Sequence, residues 1–325
     1  MKIKKSFIAS SLAAMSLLMS GCGGSSSDTA GAEPKTTESQ RSVAIEFSAV
    51  VGDQGALVCS ENNNTKVYQN LGTTNASGSI ADFRFFVSEV AVKLSDGSTQ
   101  KLVLTNNSNQ YYNETNGSVA ILDFEDNTGN CKDRGNDADT YTTVVGSVRM
   151  DDTTAITGVE FTVGVPIALN HIEFPEIEAL TKSGMNWSWA AGRKFTKMEI
   201  NPVDELNSTK DMFNFHLGST GCQDTDADGI TNECAQPNRV KIVFDHFDPE
   251  TQKIRIDYAE LLTYVDITND LGGSKGCMSK LDDPECMSTE GQMFNMIGLD
   301  DAGQQGLCLG GECTEAQQLF SITDK

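Results

Sequence analysis

The sequence predicts a mainly β protein: an antiparallel β-sandwich or barrel-like domain with long loops closed by disulfides. Short segments rich in Val, Ile and Phe recur along the chain, and Gly, Asn, Asp or Ser bound most of them. Helical periodicity is scarce, and a helical turn or more is expected only at 177–180 and 258–264. The expected strands are 42–51, 82–94, 101–104, 118–124, 141–150, 158–163, 195–200, 214–217, 239–244 and 253–258.

The chain opens with an export signal. A basic start, Met1-Lys2-Ile3-Lys4-Lys5, precedes a mostly apolar run over 7–19. That run is shorter than the roughly 20 apolar residues that a membrane-spanning helix needs. It ends in Leu18-Met19-Ser20-Gly21-Cys22, a lipobox, where bacterial lipoproteins are cleaved. We expect residues 1–21 to be removed and Cys22 to carry lipid; an ordinary secretory signal with a nearby cysteine is the alternative.

A flexible tether follows over 22–42, where Ser, Gly, Thr and charged residues dominate and large apolar residues are too few to form a core. It would hold the protein to a membrane through the lipid on Cys22. No Asp directly follows Cys22, which favours the outer membrane, with the protein on its periplasmic or surface face. The rest divides into a β domain over 43–266 and a Cys-, Met- and Gly-rich C-terminal extension over 267–325.

The net charge limits the partners. The 325-residue chain carries a formal charge of −22 at pH 7. A protein this acidic repels nucleic acid and anionic membrane surfaces, and it tolerates or attracts metal cations. We therefore expect no nucleic-acid partner.

Eight cysteines remain once Cys22 is assigned to the lipid, and an even number is typical of disulfides in an oxidising compartment. The sequence does not fix their connectivity. The pairing that needs the fewest assumptions joins the first two over a long loop and the other six in three local couples. Thiolate metal ligation is the alternative, but none of the spacings is C-x-x-C. The eight are Cys59, Cys131, Cys222, Cys234, Cys277, Cys286, Cys308 and Cys313.

The segment 222–234 contains an acidic loop of the form Asp-x-Asp-x-Asp-Gly between two cysteines. Oxygen ligands at this spacing suit Ca²⁺, with Gly229 permitting the turn. The loop departs from an EF-hand, because Ala235 stands where the bidentate Glu belongs. A solvated acidic loop is the alternative, and any bound calcium would be structural. The expected ligands are Asp224, Asp226, Asp228, the Ile230 carbonyl, and Asn232 or Glu233.

Histidine and tryptophan are rare. The chain has only His171, His216 and His246, and both tryptophans lie in Trp187-Ser188-Trp189. Imidazole is a common ligand for copper and zinc, so the histidines are candidates for a metal site. The structural alternative is that each histidine is a satisfied polar residue and that the two indoles share one face of a strand.

The sequence contains no motif for nucleophilic catalysis, covalent haem attachment or nucleotide binding. Ser219 lies in Gly-Ser-Thr-Gly rather than in G-x-S-x-G, and no free thiol is expected. We therefore expect a binding protein rather than an enzyme.

Six parts of the chain resemble the MbnP family, also described as the four-Cys protein of a metallo-mystery pair, and together they cover roughly 43–264. They are DFRFFVSEV over 82–90, LDFED over 122–126, GVP over 164–166 with LNH over 169–171, MNWSW over 185–189 with GRKF over 192–195, FHLGSTGC over 215–222, and CAQPNR over 234–239.

The resemblance implies a copper-binding protein whose usual partner is a di-haem enzyme of the cytochrome c peroxidase type, related to MauG. That partner is expected to oxidise Trp187 or Trp189 to kynurenine, which helps to hold copper. The resemblance also implies His171 and His216 as the imidazole ligands, whereas His246 falls outside the pattern and is expected at the surface. The family's four cysteines correspond to Cys59, Cys131, Cys222 and Cys234.

The leading hypothesis is thus a lipid-anchored copper-binding protein that acts in copper acquisition or homeostasis. A second hypothesis is a calcium-stabilised surface module for adhesion or assembly, in which the tryptophan pair belongs only to the core. A third, a copper redox enzyme, has little support, because no further acid–base residues accompany the proposed ligands.

Overall fold

The computed structural model describes residues 38–132, 139–171, 176–188, 192–203, 212–227, 231–287, 292–300 and 317–325. It confirms a mainly β fold. The strands are β1 (Glu38–Val50), β2 (Ser60–Glu61), β3 (Asn64–Thr65), β4 (Tyr68–Leu71), β5 (Ala76–Leu94), β6 (Thr99–Lys101), β7 (Val103–Leu104), β8 (Gln110–Asn113), β9 (Gly117–Asp123), β10 (Thr143–Asp151), β11 (Ile156–Val163), β12 (Asn186–Ser188), β13 (Gly192–Arg193), β14 (Thr196–Val203), β15 (Phe213–Phe215), β16 (Thr220–Gln223), β17 (Glu233–Gln236), β18 (Val240–Phe244), β19 (Gln252–Asp257), β20 (Gly276–Cys277) and β21 (Phe320–Asp324).

Within the residues that the structure describes, helical structure is confined to short pieces. They are α1 (Ile167–Asn170), α2 (Tyr258–Leu261), α3 (Met293–Ile297) and the 3₁₀ turns Gly129–Cys131 and Glu178–Leu180. Two of them coincide with the helical turns expected at 177–180 and 258–264. Across the described ranges, no helix has the length and apolar character needed to cross a bilayer.

The strands form two large sheets. The five-stranded sheet has the order β21-β19-β1-β10-β7, and the ten-stranded sheet runs β18-β11-β5-β14-β15-β20, with β4, β6, β8 and β9 attached beside this path. Most pairings are antiparallel, but β1–β19 and β15–β20 are parallel. Neither strand order closes on itself within the described residues, so the architecture is that of open sheets rather than of a barrel.

The two large sheets pack face to face through aromatic side chains. Phe47 of the five-stranded sheet meets Phe161 of the ten-stranded sheet with ring centroids 5.5 Å apart. Phe320 contacts both Phe161 and Phe85, at 5.5 and 5.9 Å. These contacts are edge-to-face, the arrangement that aromatic quadrupoles favour. Strand β21, inside the predicted extension 267–325, is therefore part of the sandwich.

Three disulfides close the loops as the sequence predicted. They join Cys59 to Cys131, Cys222 to Cys234 and Cys277 to Cys286. Their sequence separations are 72, 12 and 9 residues, so one bond closes a long loop and two close short ones. The expected couple of Cys308 and Cys313 lies outside the described residues.

Strand β5 is the centre of the ten-stranded sheet. It pairs with β11 and β14 over most of its 19 residues, and the run 78–88 is buried without interruption. A strand with one face in solvent would alternate buried and exposed residues. Both faces of β5 are therefore covered, which forces its charged residues into the interior.

Candidate metal centre

One side of the central strands is apolar and the other is charged. Along β5, Asp82 and Arg84 alternate with phenylalanines, and in the antiparallel register Arg84 lies opposite Lys197 and Asp82 opposite Glu199. His216 directly follows β15, and every one of these residues is 7% exposed or less. We call this set the charged face; it comprises Asp82, Arg84, Lys197, Glu199 and His216.

Ion pairs neutralise most of the charged face. Arg84 donates two hydrogen bonds to the carboxylate of Asp82, at 2.6 and 2.9 Å, and Lys197 donates to the same carboxylate. Arg84 Nε also lies 3.5 Å from Glu125 Oε1. Burial alone would lower the pKa of Arg84, but the hydrogen bonds and charge of Asp82 outweigh it and raise that pKa. The Arg84 guanidinium therefore stays charged, and the carboxylate of Asp82 lies in contact with both Arg84 and Lys197.

Glu199 and His216 form the other half of the charged face. His216 Nε2 lies 2.8 Å from Glu199 Oε1. Burial alone would raise the pKa of Glu199, but the hydrogen bond with His216 and the charge of Lys197 outweigh it and hold that pKa at about 2. Burial lowers the pKa of His216, although the hydrogen bond to Glu199 opposes that shift. An ionised carboxylate and a neutral imidazole follow, with the Nε2 proton shared between them.

The second nitrogen of His216 is different. Nδ1 is buried and has no hydrogen-bond partner among the described residues. Buried side-chain polar atoms are normally paired, and one that is not needs a physical explanation.

Trp187 packs against the chain two residues after this histidine. The loop before β12 covers the charged face: a Cβ built on Gly184 would lie 3.5 Å from Lys197 Nζ. Trp187 follows on β12 and lies against Gly218, where a Cβ would come within 2.3 Å of Trp187 Cζ3. Any side chain at position 218 would displace the indole, so Gly218 is required for this contact. Gly218 is two residues after His216, so the indole packs against the same segment that carries the imidazole.

A cavity of about 480 Å³ opens beside the indole. We call it the Trp187 cavity. Met278 reaches it from the segment after β20, and Cys222 reaches it from β16. The same segment fixes His216, because Cys277 O accepts from His216 N at 2.9 Å and Ser279 Oγ donates to His216 O at 2.6 Å. The described lining residues are Trp187, Ser219, Thr220, Gly221, Cys222, Ser274, Met278 and Lys280.

His171 lies on another side of the same region. Its Nε2 is 3.0 Å from Asn170 Nδ2 and 3.6 Å from Cys234 Sγ. Asn170 in turn comes within 3.5 Å of Ser219 Oγ, a lining residue of the Trp187 cavity. His171, Cys222 and Cys234 bring their potential ligand atoms within 4.8 Å of one another. Those two sulfurs form a disulfide, however, and the ligand form of cysteine is the thiolate.

The predicted site residues are thus only partly brought together. The segment 216–219 connects His216, Trp187 and, through Ser219, the Asn170–His171 pair. Trp189 lies outside the described residues, and His246 is exposed, as expected.

The acidic loop is described in part. Cys222 and Cys234 face each other across the β16–β17 hairpin, and Asn232 Oδ1 accepts from both the backbone and the hydroxyl of Thr225. Asp224 Oδ1 accepts from Ala227 N at 2.7 Å. Hydrogen bonds within the loop and the disulfide at its base therefore hold its conformation. Among the expected calcium ligands, Asp228 and Ile230 lie outside the described residues, whereas Asp224, Asp226, Asn232 and Glu233 lie within them.

Sequence reasoning missed two residues of this region, Glu199 and Met278. A signal for Glu199 was present, because charged and apolar residues alternate through Lys197-Met198-Glu199-Ile200 as they do through Asp82-Phe83-Arg84-Phe85. That alternation is usually taken to mean a solvent-facing polar side. Met278 follows Cys277 in the chain and gave no comparable signal.

The same region coincides with the family's motifs. The MbnP family profile matches residues 40–286. The chain belongs to the MbnP family. A solved structure, MbnP from Methylosinus trichosporium, is 31% identical and superimposes with a TM-score of 0.69, covering 88% of this chain and 99% of that one. No curated protein gives a match. All four cysteines that the resemblance assigned to the MbnP family pair in the disulfides Cys59–Cys131 and Cys222–Cys234.

Proposed function

We propose that this MbnP-family protein is a lipid-anchored copper-binding protein of the cell envelope, acting in copper acquisition or homeostasis. Copper is held by histidine together with a kynurenine that a di-haem partner makes from Trp187. The observation that carries the proposal is the contact of Trp187 with Gly218, two residues after His216 and beside the Trp187 cavity. The protein itself is not an enzyme in this proposal; its partner does the oxidation.

Oxidation of the indole makes it useful to a metal. The indole nitrogen lone pair belongs to the aromatic ring, so intact tryptophan is a poor ligand. Ring opening breaks the C2–C3 bond as two oxygen atoms add, and hydrolysis of the formamide releases formate. The residue ends with one more oxygen and one fewer carbon, and it carries an aryl amine and a carbonyl. Two equivalents of peroxide, each reduced to water, balance the four electrons, and a peroxidase-type di-haem enzyme is the matching class of catalyst.

Trp187 is well placed for this modification. It borders a cavity and is half-buried, so it is close both to the interior and to an approaching partner. Opening its ring would leave the amine and carbonyl at the edge of the Trp187 cavity, next to Gly218. The proposal therefore assigns the modification to Trp187.

The surrounding donors fit copper. His216 Nδ1 is a buried nitrogen that lacks a hydrogen-bond partner among the described residues, and imidazole is a good copper ligand. His171 supplies a second imidazole through the Asn170–Ser219 connection. The Met278 thioether borders the Trp187 cavity, and thioethers select Cu(I). Carboxylates of the charged face are already engaged in ion pairs, so the soft donors decide the preference.

Production of the full chain with and without its di-haem partner tests the proposal. Protein made with the partner should show a gain of one oxygen and a loss of one carbon at one tryptophan, with new near-ultraviolet absorbance. It should also retain tightly bound copper after dialysis. Trp187→Phe should abolish both the mass change and copper retention, whereas the matched variant Trp189→Phe should keep both. Equal copper binding by the unmodified protein would contradict the proposal.

The lipid anchor has its own test. Cys22→Ala should move the protein from the detergent phase to the aqueous phase and end labelling by a radioactive fatty acid. Continued partitioning of the variant into detergent would contradict lipid attachment at Cys22.

A further inference from the structure

We infer that Glu199 is a positioning residue for His216, and that it fixes the imidazole so that Nδ1 is the nitrogen presented to copper. The inference rests on the proposed copper function and adds one residue and one atom to it. Two observations carry it. His216 Nε2 and Glu199 Oε1 form a buried hydrogen bond of 2.8 Å, and His216 Nδ1 is buried without a hydrogen-bond partner among the described residues.

The chemistry of the pair fixes the tautomer. A carboxylate oxygen accepts hydrogen bonds and lies 2.8 Å from Nε2, so the ring proton of a metal-binding imidazole belongs on Nε2. An imidazole that binds a metal carries one ring proton, and with that proton on Nε2 the lone pair is on Nδ1, the buried nitrogen without a hydrogen-bond partner among the described residues. A metal-binding histidine commonly places a carboxylate on the nitrogen that does not bind the metal, which orients the ring and makes it more basic.

Glu199 is held firmly enough to do this. It lies in the middle of β14, paired with Asp82 of β5 on one side and with Asn214 of β15 on the other. Its side chain is 5% exposed, and Oε1 also lies 3.5 Å from Lys197 Nζ. The carboxylate is therefore fixed by the sheet rather than by a mobile loop.

The imidazole is held from its backbone as well. His216 N donates to Cys277 O, and His216 O accepts from Ser279 Oγ. Those two residues flank Met278, which borders the Trp187 cavity. The histidine is thus fixed at its main chain and at Nε2, and Nδ1 is the one polar atom of the side chain left for a ligand.

The charged face also supplies a control. Asp82 and Glu199 are both buried carboxylates of the charged face. Asp82 pairs with Arg84 and Lys197, whereas Glu199 is the carboxylate that hydrogen-bonds to the ring of His216. Asp82→Asn perturbs the charged face away from the histidine, whereas Glu199→Leu removes the partner of the histidine itself. A purely structural role predicts similar consequences for both.

The first measurement uses copper-free, unmodified protein. A long-range ¹H–¹⁵N correlation spectrum of histidine-labelled protein reports the tautomer of each ring, and the spectrum of His216→Ala assigns the signals of His216. We expect the Nε2–H tautomer of His216 in the parent protein and in Asp82→Asn. We expect a mixture of tautomers in Glu199→Leu. An Nδ1–H tautomer in the parent protein would overturn the inference.

The second measurement uses protein modified by the partner, with Cu(I) and bathocuproine disulfonate as the competing chelator. Loss of a carboxylate behind a histidine ligand typically lowers metal affinity 10- to 100-fold, and we expect a loss of about that size for Glu199→Leu. Glu199→Gln retains a carbonyl acceptor, so it should keep the tautomer and lose less than about tenfold. Asp82→Asn should lose stability to heat but not copper affinity. If Glu199→Leu does not fold, the copper affinity of Glu199→Gln and the His216 tautomer of the parent protein still test the inference.

The outcomes separate the inference from the function beneath it. If the modified parent protein binds no copper, the proposed function fails and the inference fails with it. If the parent protein binds copper and Glu199→Leu binds it equally well, only the inference fails. The same holds if Asp82→Asn weakens copper as much as Glu199→Leu does. On copper binding to the parent protein, we expect the Nδ1 resonance of His216 to change more than Nε2; the reverse would overturn the inference.

Discussion

The two faces of the central strands β5 and β14 are built from residues that alternate along the chain, but burial affects their stability in opposite directions. Phe83 and Phe85 pack with other phenylalanines against the five-stranded sheet, as the edge-to-face contacts of Phe85 with Phe320 show. Asp82 and Arg84, one residue away in the chain, lie on the charged face. Removing water stabilises the first face, whereas for ions the same removal costs free energy that their pairing only offsets.

The apolar face serves the fold, whereas the charged face serves function. The apolar face would hold the sheets together with any well-packed residues of the right volume. The charged face is poorly explained by stability, since buried ion pairs are often replaceable by apolar groups without loss. It is better explained by what it positions, namely His216, which hydrogen-bonds to Glu199 and lies two residues before the glycine that Trp187 packs against.

Cutting the apolar face should have the largest effect on stability. Phe85→Ala removes a fully buried ring that contacts Phe83, Phe124 and Phe320. We expect a loss of about 4 kcal/mol in the free energy of unfolding, within the usual range for a buried Phe→Ala change. Urea titration measures it, and copper affinity per folded molecule should stay unchanged. A folded variant with weakened copper binding would break the distinction between the faces.

Removing a carboxylate from the charged face should lower the free energy of unfolding slightly less than Phe85→Ala does. Asp82→Ala leaves Arg84 and Lys197 buried without their shared partner, and removal of one partner from a buried pair typically costs 3–5 kcal/mol. Because Glu125 still lies near Arg84, we expect about 3 kcal/mol, at the lower end of that range.

The exposed pair Lys93–Asp245 is the matched control for that variant. Asp245 is half-exposed, and Asp245→Ala should cost no more than about 1 kcal/mol. Equal losses for the two aspartates, measured by the same urea titration, would show that burial of the charged face has no energetic consequence.

The acidic loop 222–234 differs from the charged face because those of its carboxylates that the structure describes face solvent. If this loop binds Ca²⁺ only in the folded state, calcium at ten times its Kd should stabilise the protein by about 1.4 kcal/mol. Differential scanning calorimetry with and without a chelator measures the shift, with the disulfides intact. Asp224→Asn with Asp226→Asn should remove it. An identical melting curve after thorough chelation would contradict a calcium site.

The strands were predictable from the sequence because their period is local. The runs 143–151, 156–163 and 252–257 show the β-branched and aromatic composition of strands and fall close to the expected positions. The sequence left the disulfide connectivity open, but the three bonds match the pairing that needs the fewest assumptions.

The charged face could not be predicted, because its burial depends on distant segments. Alternation through 82–85 and 197–200 is also what a half-exposed strand would show. The loop that places Gly184 over Lys197 and Arg84 covers that side. The contact of Met278 with the Trp187 cavity likewise depends on a parallel pairing between β15 and β20, which no local pattern encodes.

The most direct test of the account is copper retention by histidine variants that all carry the tryptophan modification. His216→Ala and His171→Ala should each lose tightly bound copper while keeping the altered mass at Trp187, because the proposed partner would act on the indole and not on the imidazoles. His246→Ala, which changes an exposed histidine far from these motifs in the chain, should retain a full equivalent. Copper per protein by mass spectrometry, after dialysis against a Cu(I) chelator, gives the answer. Undiminished copper in His216→Ala, or loss confined to His246→Ala, would contradict the placement of the site on the charged face.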